Sequence, residues 1–61
     1  MPNLTSKELT AIEDQLGMEQ LLVKKFNSVA STTGDSELRT KCEKIAKKHE
    51  EHYNTLLSHL N

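Results

Sequence analysis

The sequence predicts an all-α protein, in which two helices form an antiparallel hairpin that pairs with a second copy as a four-helix bundle. Two long segments carry apolar residues at helical spacing, and the one turn signal in the chain separates them. A chain of 61 residues is too short to bury both apolar stripes by itself. We expect a single domain over 1–61, with helices at about 6–32 and 36–60 and a turn at 33–35.

The first predicted helix begins at a capping box. The hydroxyl of Thr5 would accept a hydrogen bond from the N–H of Glu8, whose carboxylate would accept one from the N–H of Thr5. Gly17 interrupts this helix at a cost of about 1 kcal/mol relative to alanine, so we expect a neighbouring helix to approach it closely. The core-facing stripe alternates spacings of three and four residues and consists of Leu9, Ile12, Leu16, Glu19, Val23, Phe26 and Ala30.

Residues 31–35 predict a turn before the second helix, because they have low helix propensity and include a glycine. Gly34 is expected to take the left-handed conformation that often ends a helix. Asp35 or Ser36 would then cap the second helix. Its stripe has the mirrored spacing and consists of Leu38, Cys42, Ile45, His49, His52, Leu56 and His59.

The mirrored stripes predict a register for the hairpin. Facing residues have numbers that add up to 68, so the fold-back is centred on Gly34 and Glu19 faces His49. A hairpin with stripes this wide needs a second copy to cover them, which gives a four-helix bundle. A two-fold axis across the bundle would bring the Glu19 and His49 layers of both chains together.

Three polar residues on otherwise apolar stripes, Glu19, His49 and His52, need partners in the bundle interior. One solution is a divalent metal, since two imidazoles and a carboxylate suit iron, manganese or zinc. The other is a hydrogen-bonded pair of Glu19 and His49 that fixes the register. The run HEEH at 49–52 is not a zinc-protease motif, because its histidines are three residues apart rather than four.

Composition and charge exclude several functional classes. The net charge is −1, and the basic residues are interleaved with acidic ones, whereas a nucleic-acid surface needs clustered lysine and arginine. The chain has no apolar run of about 18 residues and no signal-peptide pattern at its start. We therefore expect no nucleic-acid partner, no membrane span and a cytoplasmic location. The single cysteine, Cys42, is expected to be a reduced thiol and a small core residue.

Two segments resemble the coat F-type spore coat proteins, ferritin-like helical proteins of spore-forming Firmicutes. They are EDQLGMEQLL at 13–22 and CEKIAKKHEEH at 42–52, followed by Leu56 and Leu57. The resemblance covers most of the chain and implies a ferritin-like bundle, of which one hairpin would be half. Ferritin-like di-iron proteins use a Glu from one helix and Glu-x-x-His from the next. Glu19 and His52 match this pattern, but His49 replaces the second Glu, which leaves a different metal or none.

We therefore expect a small, non-enzymatic structural or assembly protein of the spore-coat type that acts as a homodimer. The resemblance adds the spore coat as a location and other spore coat proteins as partners. A metal-binding bundle, with a site built between chains from Glu19, His49 and His52, is the first alternative, and enzymatic activity stays open. The second is a partner-binding adaptor that uses Met18, Leu21 and Leu22.

Overall fold

The computed structural model describes residues 4–60 and consists of two α-helices that pack against each other as a hairpin. Helix α1 spans Ser6–Thr32 and helix α2 spans Ser36–Ser58, two residues short of the expected end. No strand occurs within residues 4–60, so the all-helical hairpin is confirmed. The expected domain also includes residues 1–3 and 61, which lie outside the described part.

The predicted capping box is present at the start of α1. The N–H of Thr5 donates to Oε1 of Glu8 at 2.9 Å, and the N–H of Glu8 donates to Oγ1 of Thr5 at 3.1 Å. The hydrogen bond from the Thr5 backbone lowers the pKa of Glu8. Two backbone donors that the helix itself would leave unpaired are thereby satisfied.

The turn differs from the sequence expectation at Gly34. No glycine among residues 4–60 has a positive φ, so the left-handed conformation predicted for Gly34 is wrong. The chain instead leaves α1 through an extended Thr33, with φ −74° and ψ 141°, whose N–H donates to the Val29 carbonyl. Asp35 is the cap of α2, because its Oδ1 accepts from the N–H groups of Glu37 and Leu38.

The Arg39 side chain satisfies carbonyls at this end of α1, in place of the expected left-handed glycine. Its Nε donates to the carbonyl of Ala30 at 3.2 Å and its Nη2 to that of Thr33 at 2.8 Å. Carbonyls in the last turn of a helix have no partner within the helix itself. A side chain from the first turn of α2 therefore ends α1 and ties the two helices together.

The close approach expected at Gly17 is also absent. Among the described residues, no atom of a neighbouring element lies within 4 Å of the position that a Cβ would take. Gly17 is also exposed to solvent. Packing within the hairpin does not explain this glycine.

The interior of the hairpin contains small residues. Ala30, Cys42 and Ala46 are its buried apolar side chains, and no large side chain within residues 4–60 is fully buried. The Cys42 prediction, a small core residue with a free thiol, is confirmed. The Cα atoms extend over 47 × 14 × 10 Å, and neither helix is long and apolar enough to cross a bilayer. One side of each helix is thus covered, while most large apolar side chains keep contact with solvent.

Candidate functional site

The predicted facing pair of Glu19 and His49 is present in the hairpin. Glu19 is the buried charged residue of the described chain, with 7% of its surface exposed. Its Oε1 lies 2.6 Å from Nδ1 of His49 on α2, a hydrogen-bond distance. Glu19 is also the central residue of α1, so this contact fixes the register of the two helices halfway along them.

The second carboxylate oxygen of Glu19 has two further partners. Gln15, one turn earlier on α1, donates from Nε2 to Oε2 at 3.2 Å. The Nδ1 of His52 lies 3.6 Å from the same oxygen. Sequence reasoning placed His52 here but missed Gln15. The signal was available, because residues four apart lie next to each other on a helix.

Aromatic contacts hold the two imidazole rings. The ring of Phe26 stacks on that of His49, with centroids 6.1 Å apart and an angle of 15° between the planes. The rings of His49 and His52 meet edge to face at 5.5 Å, as their spacing of three residues on one helix allows. His49 is half-buried between these neighbours, whereas 53% of the His52 side chain is exposed.

The electrostatics favour an ionised carboxylate in this cluster. The hydrogen bond with His49 is the largest influence and lowers the pKa of Glu19, while burial acts in the opposite direction. The hydrogen bond from Gln15 and the charges of the two histidines lower this pKa further. Every buried side-chain nitrogen and oxygen of residues 4–60 has a hydrogen-bond partner. The buried polar atoms of the cluster therefore all have hydrogen-bond partners.

The same three residues also have the composition of a metal centre. Glu19, His49 and His52 each offer one ligand atom, and these atoms all lie within 4.8 Å of one another. Two imidazoles and one carboxylate form a set that binds zinc or ferrous iron and leaves positions open. The grouping forms inside a single chain, although the sequence led us to expect a site built between chains. Metal binding itself stays a prediction.

A face of exposed apolar residues surrounds the half-exposed His52. Gln15 and His52 reach the same oxygen of Glu19, so the rows that contain them border the same side of the hairpin. On each helix, residues three, four or seven apart continue such a row. The apolar side chains that we select from these rows, and together with His52 call the His52 face, are Met18, Leu22 and Val29 of α1 and Leu38, Ile45 and Leu56 of α2.

The opposite side of the hairpin is polar. It contains a shallow groove lined by the polar or charged residues Gln20, Lys24, Glu50 and Asn54, together with Val23 and Tyr53. The His52 face, in contrast, includes four of the large apolar side chains that are exposed by more than a third: Met18, Val29, Leu38 and Ile45. This face accounts for four of the seven exposed large apolar side chains among residues 4–60, and the other three, Leu9, Leu21 and Leu57, lie outside it.

Comparison with known proteins adds no relative. No protein-family model, no curated protein and no solved structure matches this chain. The resemblance of residues 13–22 and 42–52 to the coat F-type proteins stays a prediction. What can be said of function comes from the hairpin, the His52 face and the cluster of Glu19, His49 and His52.

Proposed function

We propose that this chain is a small, non-enzymatic structural or assembly protein that acts as a homodimeric, ferritin-like four-helix bundle. One observation carries the proposal. The His52 face is apolar along much of the hairpin, yet no described part of the chain covers it. An apolar surface of this kind on a small protein marks an interaction site.

The exposed area supports the proposed pairing. The chain exposes 4709 Å², whereas a compact monomer of 6.9 kDa would expose about 4000 Å². This elongated hairpin therefore exposes about 700 Å² more than a compact monomer of its mass, and a partner would cover part of that surface. Because the interior has only small apolar side chains, pairing would also supply the large-residue core that one hairpin lacks.

A second copy suits this face better than an unrelated partner does. The six apolar residues of the face bring no like charges together when they meet their own copies, although the same rows also contain Lys25, Lys41 and Lys48. Both helices contribute rows with spacings of three and four, which interlock with the same rows of an identical hairpin. A two-fold axis would then make one surface serve both chains.

The spore-coat part of the proposal rests on the resemblance of residues 13–22 and 42–52. It places the bundle in the spore coat, with the cytoplasm as the more general location, and makes other spore coat proteins its further partners. A structural role agrees with a cluster in which each buried polar atom of residues 4–60 is already hydrogen-bonded.

Two matched substitutions test the pairing surface. Ile45 and Leu57 are both on α2 and both 38% exposed, but Ile45 belongs to the His52 face, whereas Leu57 follows Glu50 by seven residues on the polar side. We expect Ile45→Glu to convert the dimer into a monomer in sedimentation equilibrium, because pairing would bury a charge. Leu57→Glu should stay dimeric. Equal behaviour of the two variants would contradict the assignment of this face.

A second candidate function, the binding of iron, manganese or zinc, is favoured by the three ligand atoms within 4.8 Å of one another. In this case the bundle would bind a metal in addition to having a structural role. Metal analysis of an untagged protein, purified without a chelator, tests it. Near-stoichiometric metal that disappears in a Glu19→Ala, His49→Ala double variant is the expected result, and metal-free protein would contradict it.

A further inference from the structure

We propose that Glu19, His49 and His52 of one hairpin bind a single divalent transition metal, with one metal per chain and none shared between chains. This inference deepens the metal-binding candidate and rests on it, but it does not depend on pairing. It differs from a site assembled across a two-fold axis in its stoichiometry. It also specifies the ligand atoms, which are one carboxylate oxygen and the Nδ1 atoms of both histidines.

The ligand set is assembled before any metal binds. His49 and His52 are three residues apart on α2, so both rings lie on the side that faces α1 and Glu19. Nδ1 of His49 lies 2.6 Å from Oε1, and Nδ1 of His52 lies 3.6 Å from Oε2. All three groups therefore converge from two packed helices, which is a more rigid support than a loop.

Coordination requires ligand atoms that now lie up to 4.8 Å from one another to draw together by about 1.5 Å at most. Ligand atoms at roughly 2.0–2.1 Å from a tetrahedral zinc ion are about 3.3 Å apart. Nδ1 of His52 is already close to this distance from Oε2 of Glu19. Nδ1 of His49 lies closer than this to the other oxygen, Oε1, and must move away from the carboxylate. The metal would thus replace the hydrogen bond between His49 and Glu19, and the proton of that bond would leave to solvent.

Neighbouring side chains supply the outer support that metal ligands need. Gln15 donates to Oε2 of Glu19 and orients the carboxylate, while the ring of Phe26 stacks on His49 and restricts its rotation. Contacts of this kind hold ligands in position around a metal. His52 is half exposed, which leaves a route for the ion to enter and a side on which water can complete the coordination.

The ligands identify the class of metal. Two imidazole nitrogens and one carboxylate oxygen suit zinc or ferrous iron, and hard ions such as calcium and magnesium prefer sites made of oxygens alone. Three protein ligands leave at least one position open in a tetrahedral centre. Cobalt(II), a coloured substitute for zinc, reports this geometry through its visible absorption.

A zinc titration of the untagged, chelator-stripped chain tests the inference, with cobalt(II) absorption as the spectroscopic readout. We expect one zinc per chain both in the wild type and in Ile45→Glu, the variant designed to be monomeric. His52→Ala and Glu19→Gln should bind zinc at least about tenfold more weakly. His59→Ala is the matched control, because His59 is exposed at the C-terminal cap of the same helix, outside the cluster, and should leave the affinity unchanged.

Circular dichroism of each variant separates loss of a ligand from loss of helix. His52→Ala is the decisive variant, because its half-exposed side chain contributes little to the interior. Absence of zinc binding by the wild type would overturn the inference, as would an equal loss of affinity in His59→Ala. One zinc per two chains, lost in Ile45→Glu, would show a shared site instead. Binding by a wild-type monomer would support the site and contradict only the proposed pairing.

Discussion

Glu19 is a carboxylate whose surroundings act on it in opposite directions. Burial between the helices favours the neutral acid, while His49 and Gln15 stabilise the ionised form by hydrogen bonding. The lowered pKa shows that the hydrogen bonds are the stronger influence. The result is a polar contact that specifies which residues of α1 and α2 face each other.

The lowered pKa of Glu19 predicts how stability depends on pH in the metal-free protein. A group whose pKa is lower in the folded state stabilises the fold fully above its unfolded value, here 4.5. This stabilisation is lost as the pH falls through the folded value. Urea unfolding as a function of pH should therefore show a smaller acid-induced loss of stability in Glu19→Gln than in the wild type. An identical pH dependence of the two proteins would contradict this explanation.

Gly17 offers a test of local packing. Because the site of its absent Cβ is free of atoms from neighbouring elements of the described chain, alanine should fit without strain. We expect Gly17→Ala to raise the free energy of unfolding by about 1 kcal/mol, through the higher helix propensity of alanine. Urea denaturation measures this change. A loss of stability instead would mean that another chain packs closely on this glycine.

At the scale of single elements, the helix ends combine local and distant contacts. The capping box of α1 lies within four consecutive residues, 5–8, and the cap of α2 within another four, 35–38. Both can be read from short-range patterns: the sequence predicted the capping box and narrowed the cap of α2 to Asp35 or Ser36. The end of α1, in contrast, depends on Arg39, which lies nine residues after the carbonyl of Ala30.

Arg39 is expected to stabilise the hairpin through these two carbonyl contacts. Removing a charged donor from a partly buried carbonyl costs about 1–2 kcal/mol. Arg39→Ala should therefore lower the free energy of unfolding by roughly that amount, as measured by urea denaturation. Lys41→Ala is a suitable control, because the Lys41 side chain is 68% exposed and pairs with Glu37 on the surface of the same helix. If both variants lost the same small amount, Arg39 would not be holding the end of α1.

The prediction for Gly34 was wrong because of the same Arg39 contacts. A glycine after a helix favours the left-handed conformation when local backbone bonds must satisfy the last carbonyls. Here a distant side chain supplies the donors, so the chain passes through an extended Thr33 and needs no positive φ. Local sequence patterns do not reveal a contact made by a residue of the next helix.

At the scale of the whole molecule, the spacing of the stripes predicted the hairpin and its facing pair. The alternation of three and four residues placed Glu19 opposite His49, and the 2.6 Å contact confirms it. The roles of Gln15 and Phe26 could not be predicted, because they depend on side-chain conformations in the folded chain. The empty space beside Gly17 likewise depends on how α1 rotates relative to α2. The number of chains in the assembly is not encoded in a helical stripe.

The proposed structural function depends on the pairing of two hairpins through the His52 face. The most direct measurement is the molecular mass of the untagged wild-type chain in solution, by sedimentation equilibrium over a wide range of concentrations. We predict a mass of twice 6.9 kDa that persists on dilution to about the micromolar range. A folded helical monomer of 6.9 kDa at all concentrations, with the His52 face in water, would contradict the central claim.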